Sequence, residues 1–286
     1  MVDKVVIVTD TTACIPPQLV EKFGIEVVPV VFIFEEKSYR DGIDMTASEF
    51  YARLKRAKKP PTTSGSLPQP YFDAYQKASR KVASILCITA PSKLSGMFNS
   101  AQLAAGTARE SIPGITIKVL DCTTAAVGQG LVVLAAARAA SSGKNLAEVI
   151  ETAEKVMKQV TLLGSLDTLY YLVKGGRVPK AAAIASSLLQ IKPIFTVTDG
   201  EAHPVTNART MNGAEKRMLK IMKQKTTKSQ PLHAAVMHAD ALDRAIKLRD
   251  QIASQFNCVE LFITEFTPVM GVHTGPGVIG VAFYTD

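Results

Sequence analysis

The chain has 286 residues, enough for one large or two ordinary domains at about 100–200 residues each. Hydrophobic residues make up 47% and charged residues 20%, a globular composition that excludes disordered, collagen-like and mucin-like chains. Lys and Arg outnumber Asp and Glu by 33 to 25, a net +8 that suits a negatively charged ligand. No Trp and only 6% aromatic residues leave little stacking surface, so no nucleic-acid partner is expected.

The first half alternates short β-branched runs with helical spacing. Residues 5–9 read as a strand, 16–23 as a helix opened by prolines, 25–34 as a strand, and 46–57 as a helix with Thr46 as cap. Residues 70–81 read as a helix, 84–89 as a buried strand, 95–110 as a helix, 115–120 as a strand, and 125–140 and 146–159 as helices. This order predicts right-handed β-α-β units and a mostly parallel sheet. Further on come a strand at 160–165, a short helix at 168–173 and an Ala-rich helix at 181–189. Residues 193–198 and 202–207 flank Asp199-Gly200, a dipeptide that tolerates positive φ and so predicts a tight hairpin. A helix at 212–225, strands at 232–238 and 259–264 around a helix at 242–256, and a last strand at 277–284 complete the pattern. The expected fold is α/β in two domains. Residues 1–158 form a mostly parallel three-layer α/β unit, and residues 159–286 an α+β unit with a mixed sheet.

The apolar run after the N-terminus, residues 5–8, is far shorter than the roughly 7–15 residues of a signal peptide or the ~20 of a membrane helix. A cytoplasmic protein without membrane insertion is expected. Cys14, Cys87, Cys122 and Cys258 are widely separated and without a C-x-x-C pair, so neither a metal nor a disulfide framework is expected.

The chemistry sits in the loops. Thr9-Asp10-Thr11-Thr12 follows the first strand, where open α/β sheets bind ligands, although a helix cap would use the same residues. Thr62-Thr63-Ser64-Gly65-Ser66 is a run of hydroxyls able to donate to an anion, with no Gly-Lys-Ser/Thr to make it a nucleotide loop. Ser95-Gly96 stands at or near a helix N-terminus, where free amides and the helix dipole favour an anionic group. Gly271-Val272-His273-Thr274-Gly275-Pro276-Gly277 reads as a tight loop presenting one imidazole. Its partial match to a dinucleotide fingerprint fails because the chain ends too soon for a β-α-β unit. Arg177 after Gly175-Gly176, and Arg209 further on, are further cations of note.

Seven segments together resemble the DegV family of bacterial fatty-acid-binding proteins. They are VVIVTDTTACI from Val5, PTTSGS from Pro61, LSGMFNSA from Leu94, DCTTAAVGQG from Asp121, TLYYLVKGGRV from Thr168, LLQIKPIF from Leu188 and GVHTGPGVIGVAF from Gly271. The resemblance implies a long-chain fatty acid in a cleft between the two domains, its carboxylate held by Thr63, Ser95 and His273. It places Arg177 and Arg209 near the headgroup; the loop positions themselves make Asp10, Thr11, Ser64, Gly96 and Gly275 site-lining candidates. It further implies a carrier without catalytic residues or cofactor. That carrier presents the acid to a dihydroxyacetone-kinase-like fatty acid kinase and carries the acyl phosphate. Nothing in the chain demands self-association, so a monomer is expected. The chain departs from the family pattern at Gly65-Ser66-Leu67, Met97-Phe98 and Cys122, none of them a presumed carboxylate ligand.

Two other readings compete. A hydrolase of acyl esters would pair Ser95 with His273, with Asp10 or Asp121 orienting the imidazole, but the Gly-x-Ser-x-Gly elbow is missing. A nucleic-acid binder would rest only on the net charge and on the basic stretches at 53–59 and 216–228.

Overall fold

Short β-branched runs build the first sheet of the computed structural model, which describes residues 4–178 and 191–286. In chain order come β1 (Val5–Asp10), a single 3-10 turn, α1 (Pro17–Phe23), β2 (Glu26–Val28), β3 (Val31–Phe34), β4 (Lys37–Arg40), α2 (Ala47–Leu54), β5 (Thr62–Thr63) and α3 (Gln69–Ser79). Then follow β6 (Ser84–Thr89), α4 (Met97–Ser111), β7 (Thr116–Asp121), α5 (Val127–Ser141) and α6 (Leu146–Gln159). Strands β2-β1-β6-β7 form a fully parallel sheet in that order. Every residue of β6 is buried, as a central parallel strand covered on both faces requires. Helices α3 and α4 cover one face and α5 the other, which makes three layers.

The second half is β8 (Thr161–Ser165), α7 (Tyr170–Gly175), β9 (Lys192–Thr198), β10 (Glu201–Ala208), α8 (Met211–Lys225), β11 (Leu232–His238), α9 (Leu242–Gln255), β12 (Cys258–Glu265), α10 (Pro268–Thr274) and β13 (Ile279–Thr285). Its sheet runs β10-β9-β8-β13-β11-β12, antiparallel except for the β11–β12 pair. Asp199 at φ 52° and Gly200 at φ 74° make the expected β9–β10 turn. The two-part α/β fold with a parallel and a mixed sheet is as expected. The helix expected at 181–189 lies outside the described residues.

Helix α5 explains how the halves hold together. It is apolar around its whole circumference, and such a helix must be covered on all sides. It touches β1 and β6 of the first sheet and β8, β11 and β13 of the second. One continuous core runs from Ile7 and Leu86 through Leu131 and Leu134 to Ala235 and Ala282. The chain passes from the first half to the second at Val160, between α6 and β8.

Three local expectations need correction, and one hairpin went unsignalled. The run at 25–34 is two strands in two different sheets, broken at Pro29, which has no N–H for a ladder. Strand β3 turns back into β4 through Glu35 and Glu36 at φ 49° and 64°, a left-handed turn without glycine and so without a sequence signal. The hydroxyl run is partly strand: β5 pairs with β3, Thr63 opposite Phe32. The residues from Pro268 to Thr274 are helix α10 rather than loop, with Pro268 at its first turn and Gly275 as its stop at φ 71°.

Candidate functional site

Helix α10 lies on the small β4-β3-β5 sheet and on α2, and it also meets α7. Its glycines allow that approach: a Cβ at Gly275 would stand 2.1 Å from the Tyr171 ring, and one at Gly271 2.6 Å from Phe50. This packing carries His273 across to β5. The imidazole Nε2 is 3.4 Å from Thr63 Oγ1, and the guanidinium of Arg177 donates to the same oxygen at 3.4 Å. Arg177 is steadied by a 2.7 Å bond to the Gly175 carbonyl. A Cβ on Gly175 would come within 2.6 Å of His273 Nδ1, so this glycine sets how closely α7 can pass the ring.

The trio is incompletely satisfied. Among the described residues His273 Nδ1 is buried without a hydrogen-bond partner, and both contacts at Thr63 are long for hydrogen bonds. Burial, and then the nearby positive charge of Arg177, lower the His273 pKa to about 4. The ring is therefore neutral at pH 7. A hydroxyl, a neutral imidazole and a guanidinium around one point form a set of donors for a small anion, with net charge supplied by Arg177.

Arg177 and His203 also line an open cavity of about 560 Å³ with Lys93, Leu94, Glu201 and Ala202. Val178 and Ala202 belong both to this mouth and to an inner slot of about 110 Å³. The slot is walled by Leu162, Leu166, Leu172, Phe195, Met237 and Phe266, among others, and reaches Thr274 beside His273. A charged mouth thus adjoins, across Val178 and Ala202, an apolar interior bounded by both halves of the chain. A larger cavity of about 620 Å³ lies between the end of β1 and β12, lined by Asp10, Glu21 and Glu265 and by no basic residue. It is the wrong sign for an anion.

Thr63, His273 and Arg177 come together; the other candidates stand apart from them. Ser95 is half-buried one residue before Gly96, the N-cap of α4, and follows Leu94 of the mouth. Among the described residues its hydroxyl makes no hydrogen bond, and its amide donates to Pro91. Arg209 is exposed just ahead of Thr210, the N-cap of α8, and forms no ion pair with a described residue. The Ser64 amide extends the β5 ladder to Val31, while its hydroxyl bonds to the adjacent Gly65 carbonyl. Gly275 is the stop of α10.

Asp10 and Thr11 border the acidic cavity rather than the His273 cluster. Asp10 is fully buried, accepting from the amides of Thr12 and Ala90 at 3.0 Å each and from Gln129 at 3.4 Å. Thr11 Oγ1 accepts from the Val30 amide at 3.2 Å. Asp121 in turn is engaged by the amide and hydroxyl of Ser92. Neither aspartate orients His273, and His273 faces Thr63 rather than Ser95, so the hydrolase arrangement is not assembled. The approach of Gly175 to the imidazole carried no sequence signal of its own. The Lys-Gly-Gly-Arg spacing marked the place but not the contact.

Sequence and structure comparisons bear on this geometry. The sequence model of the DegV family, described as uncharacterised proteins, matches residues 4–286. The chain belongs to the DegV family. A DegV domain-containing protein of Halalkalibacterium halodurans is 32% identical over 284 residues, covering 99% of each chain. Among solved structures, a DegV family protein of Thermus thermophilus described as binding fatty acid superposes with a TM-score of 0.91. It is 29% identical, with 99% of this chain and 100% of that one covered. A stearic-acid-binding protein of Eubacterium ventriosum superposes with a TM-score of 0.89 at 26% identity, with 98% and 97% covered. Among the described residues, no group of three or more His, Cys, Asp or Glu could hold a metal, and no helix is long and apolar enough to cross a membrane.

Proposed function

We propose that this DegV protein binds one long-chain fatty acid, its carboxylate at Thr63, His273 and Arg177 and its tail entering the apolar slot, which widens from about 110 Å³ to take it. Ser95 completes the headgroup contacts from the α4 side. The observation that carries this reading is the adjacency of the two cavities across Val178 and Ala202, charged residues lining the outer one and apolar residues the inner. The fatty-acid binding described for the Thermus and Eubacterium family members supports it. Tail burial supplies the affinity: at about 0.8 kcal/mol per methylene, some fifteen carbons yield roughly 12 kcal/mol before the cost of immobilisation. The headgroup contacts fix which end faces out.

A carboxylate at the mouth of a carrier can be handed to an enzyme. In this reading the protein has no catalytic residue of its own and works in the cytoplasm as a monomer. It presents the acid to a dihydroxyacetone-kinase-like fatty acid kinase and carries the acyl phosphate. Arg177 and Arg209 suit the extra charge of the phosphoryl group, because guanidiniums pair with it through two hydrogen bonds. Arg209→Ala should then leave acid affinity within about twofold and slow acyl-phosphate formation in the reconstituted pair.

Calorimetric titration of the delipidated protein with hexadecanoate and with hexanoate tests the reading. The two share a carboxylate and differ by ten methylenes, so the long acid should bind at one per chain and at least a thousandfold more tightly. Equal affinities would place recognition in the headgroup alone and remove the tail slot from the function.

A further inference from the structure

Helix α10 has seven residues and carries His273 in its last turn. A helix this short does not hold itself together in water, and its own N-cap residue, Thr267, makes no side-chain cap. The cap comes from elsewhere. Asp41, just past the end of β4, accepts the Val269 amide through Oδ1 at 3.1 Å, 228 residues away in sequence. Asp41 is completely buried, and its amide donates to Val30 at 2.8 Å, anchoring it beside β3. Its second oxygen, Oδ2, has no hydrogen-bond partner among the described residues. A buried carboxylate kept half-unsatisfied is costly, and the return for that cost is a charged acceptor at the start of one particular helix. Val269 and His273 are four residues apart and so lie on one face of α10, about 6 Å apart along the axis.

We infer that Asp41 is the positioning residue of the carboxylate site, holding α10 through the Val269 amide so that His273 meets Thr63. The inference rests on the fatty-acid reading above. Asp41 touches no part of the proposed ligand and acts only through the helix. Tyr51 assists from α2, its hydroxyl donating to the Phe266 carbonyl at 3.1 Å just ahead of the cap. The titratable groups facing Asp41 are Asp10, Cys14 and Tyr51. Burial pushes the Asp41 carboxyl up to about 6, so at pH 7.5 it is charged.

The test compares hexadecanoate with hexadecan-1-ol at pH 7.5 on delipidated wild type, Asp41→Ala and Asp41→Asn. The acid and the alcohol share a tail, but only the acid needs the full donor set. Asp41→Ala should bind the acid about tenfold more weakly while its affinity for the alcohol stays within about twofold. Asp41→Asn keeps an acceptor for Val269 and should recover most of the acid affinity. Where Asp41→Ala does not fold, Asp41→Ser, whose hydroxyl falls short of Val269, takes its place with the same expectation. Unchanged acid affinity, an equal loss for acid and alcohol, or failure of Asn to rescue would each overturn the positioning role. Wild type that binds neither lipid would instead overturn the fatty-acid reading, and this inference with it.

Discussion

Two polar clusters in this molecule have opposite characters. Around Asp10, carboxylate, amide and hydroxyl groups of β1, β6 and α5 meet in a fully buried network. Both carboxylate oxygens are used, and Gln129 also reaches Thr9 and Thr12. Around His273 the contacts are long, one ring nitrogen has no partner among the described residues, and the cluster borders a cavity. The first arrangement leaves nothing for a ligand to do. The second leaves donors unused. Satisfaction of hydrogen bonds, together with the sign of the charge, separates the two clusters.

The sharpest way to break this comparison is to delete each cluster's centre. Asp10→Ala leaves the Thr12 and Ala90 amides and the Gln129 side chain buried without their acceptor. Stability should fall by about 3–5 kcal/mol in urea unfolding; a fall below about 1 kcal/mol would deny the network its structural role. His273→Ala should do the reverse, leaving stability within about 1 kcal/mol while hexadecanoate affinity drops ten- to a hundredfold. That is the loss expected for one hydrogen bond to a charged group, about 1.5–3 kcal/mol. Thr63→Ala should behave alike, and unchanged affinity in both variants would move the carboxylate elsewhere.

Acid sharpens the comparison further. The His273 pKa is lowered from 6.5 to about 4 in the folded protein, so between those values the unfolded chain binds more protons. Above pH 6.5 the ring is neutral in both states and its titration costs nothing; as the pH falls toward 4 only the unfolded chain takes up the proton, and stability is lost, up to about 3 kcal/mol in all. Wild type should therefore lose more stability than His273→Asn over that window, whereas Asp41, raised to about 6, acts in the opposite direction equally in both proteins. Parallel stability curves for the two would mean that His273 titrates alike in the folded and the unfolded chain.

The two clusters were also unequally legible. Thr9-Asp10-Thr11-Thr12 stood out at a strand end, and that position suggested a ligand where the structure has a structural joint. The His273 site could not be derived from spacing, since Thr63 and His273 are 210 residues apart, and only the family resemblance paired them. Strand and helix periodicity located most elements, and Asp199-Gly200 located the hairpin. Composition misled where glycine serves packing: the Gly271 to Gly277 stretch reads as loop, yet its glycines let a helix press against Phe50 and Tyr171. Asp41 carried no signal, because its role depends on a helix that the sequence did not announce.

The most direct test of the central claim is native mass spectrometry of the protein purified from bacteria, followed by solvent extraction of whatever it holds. The account predicts one fatty acid per chain, lost on delipidation and restored by adding hexadecanoate. A chain that carries no lipid and takes up none on titration would contradict it.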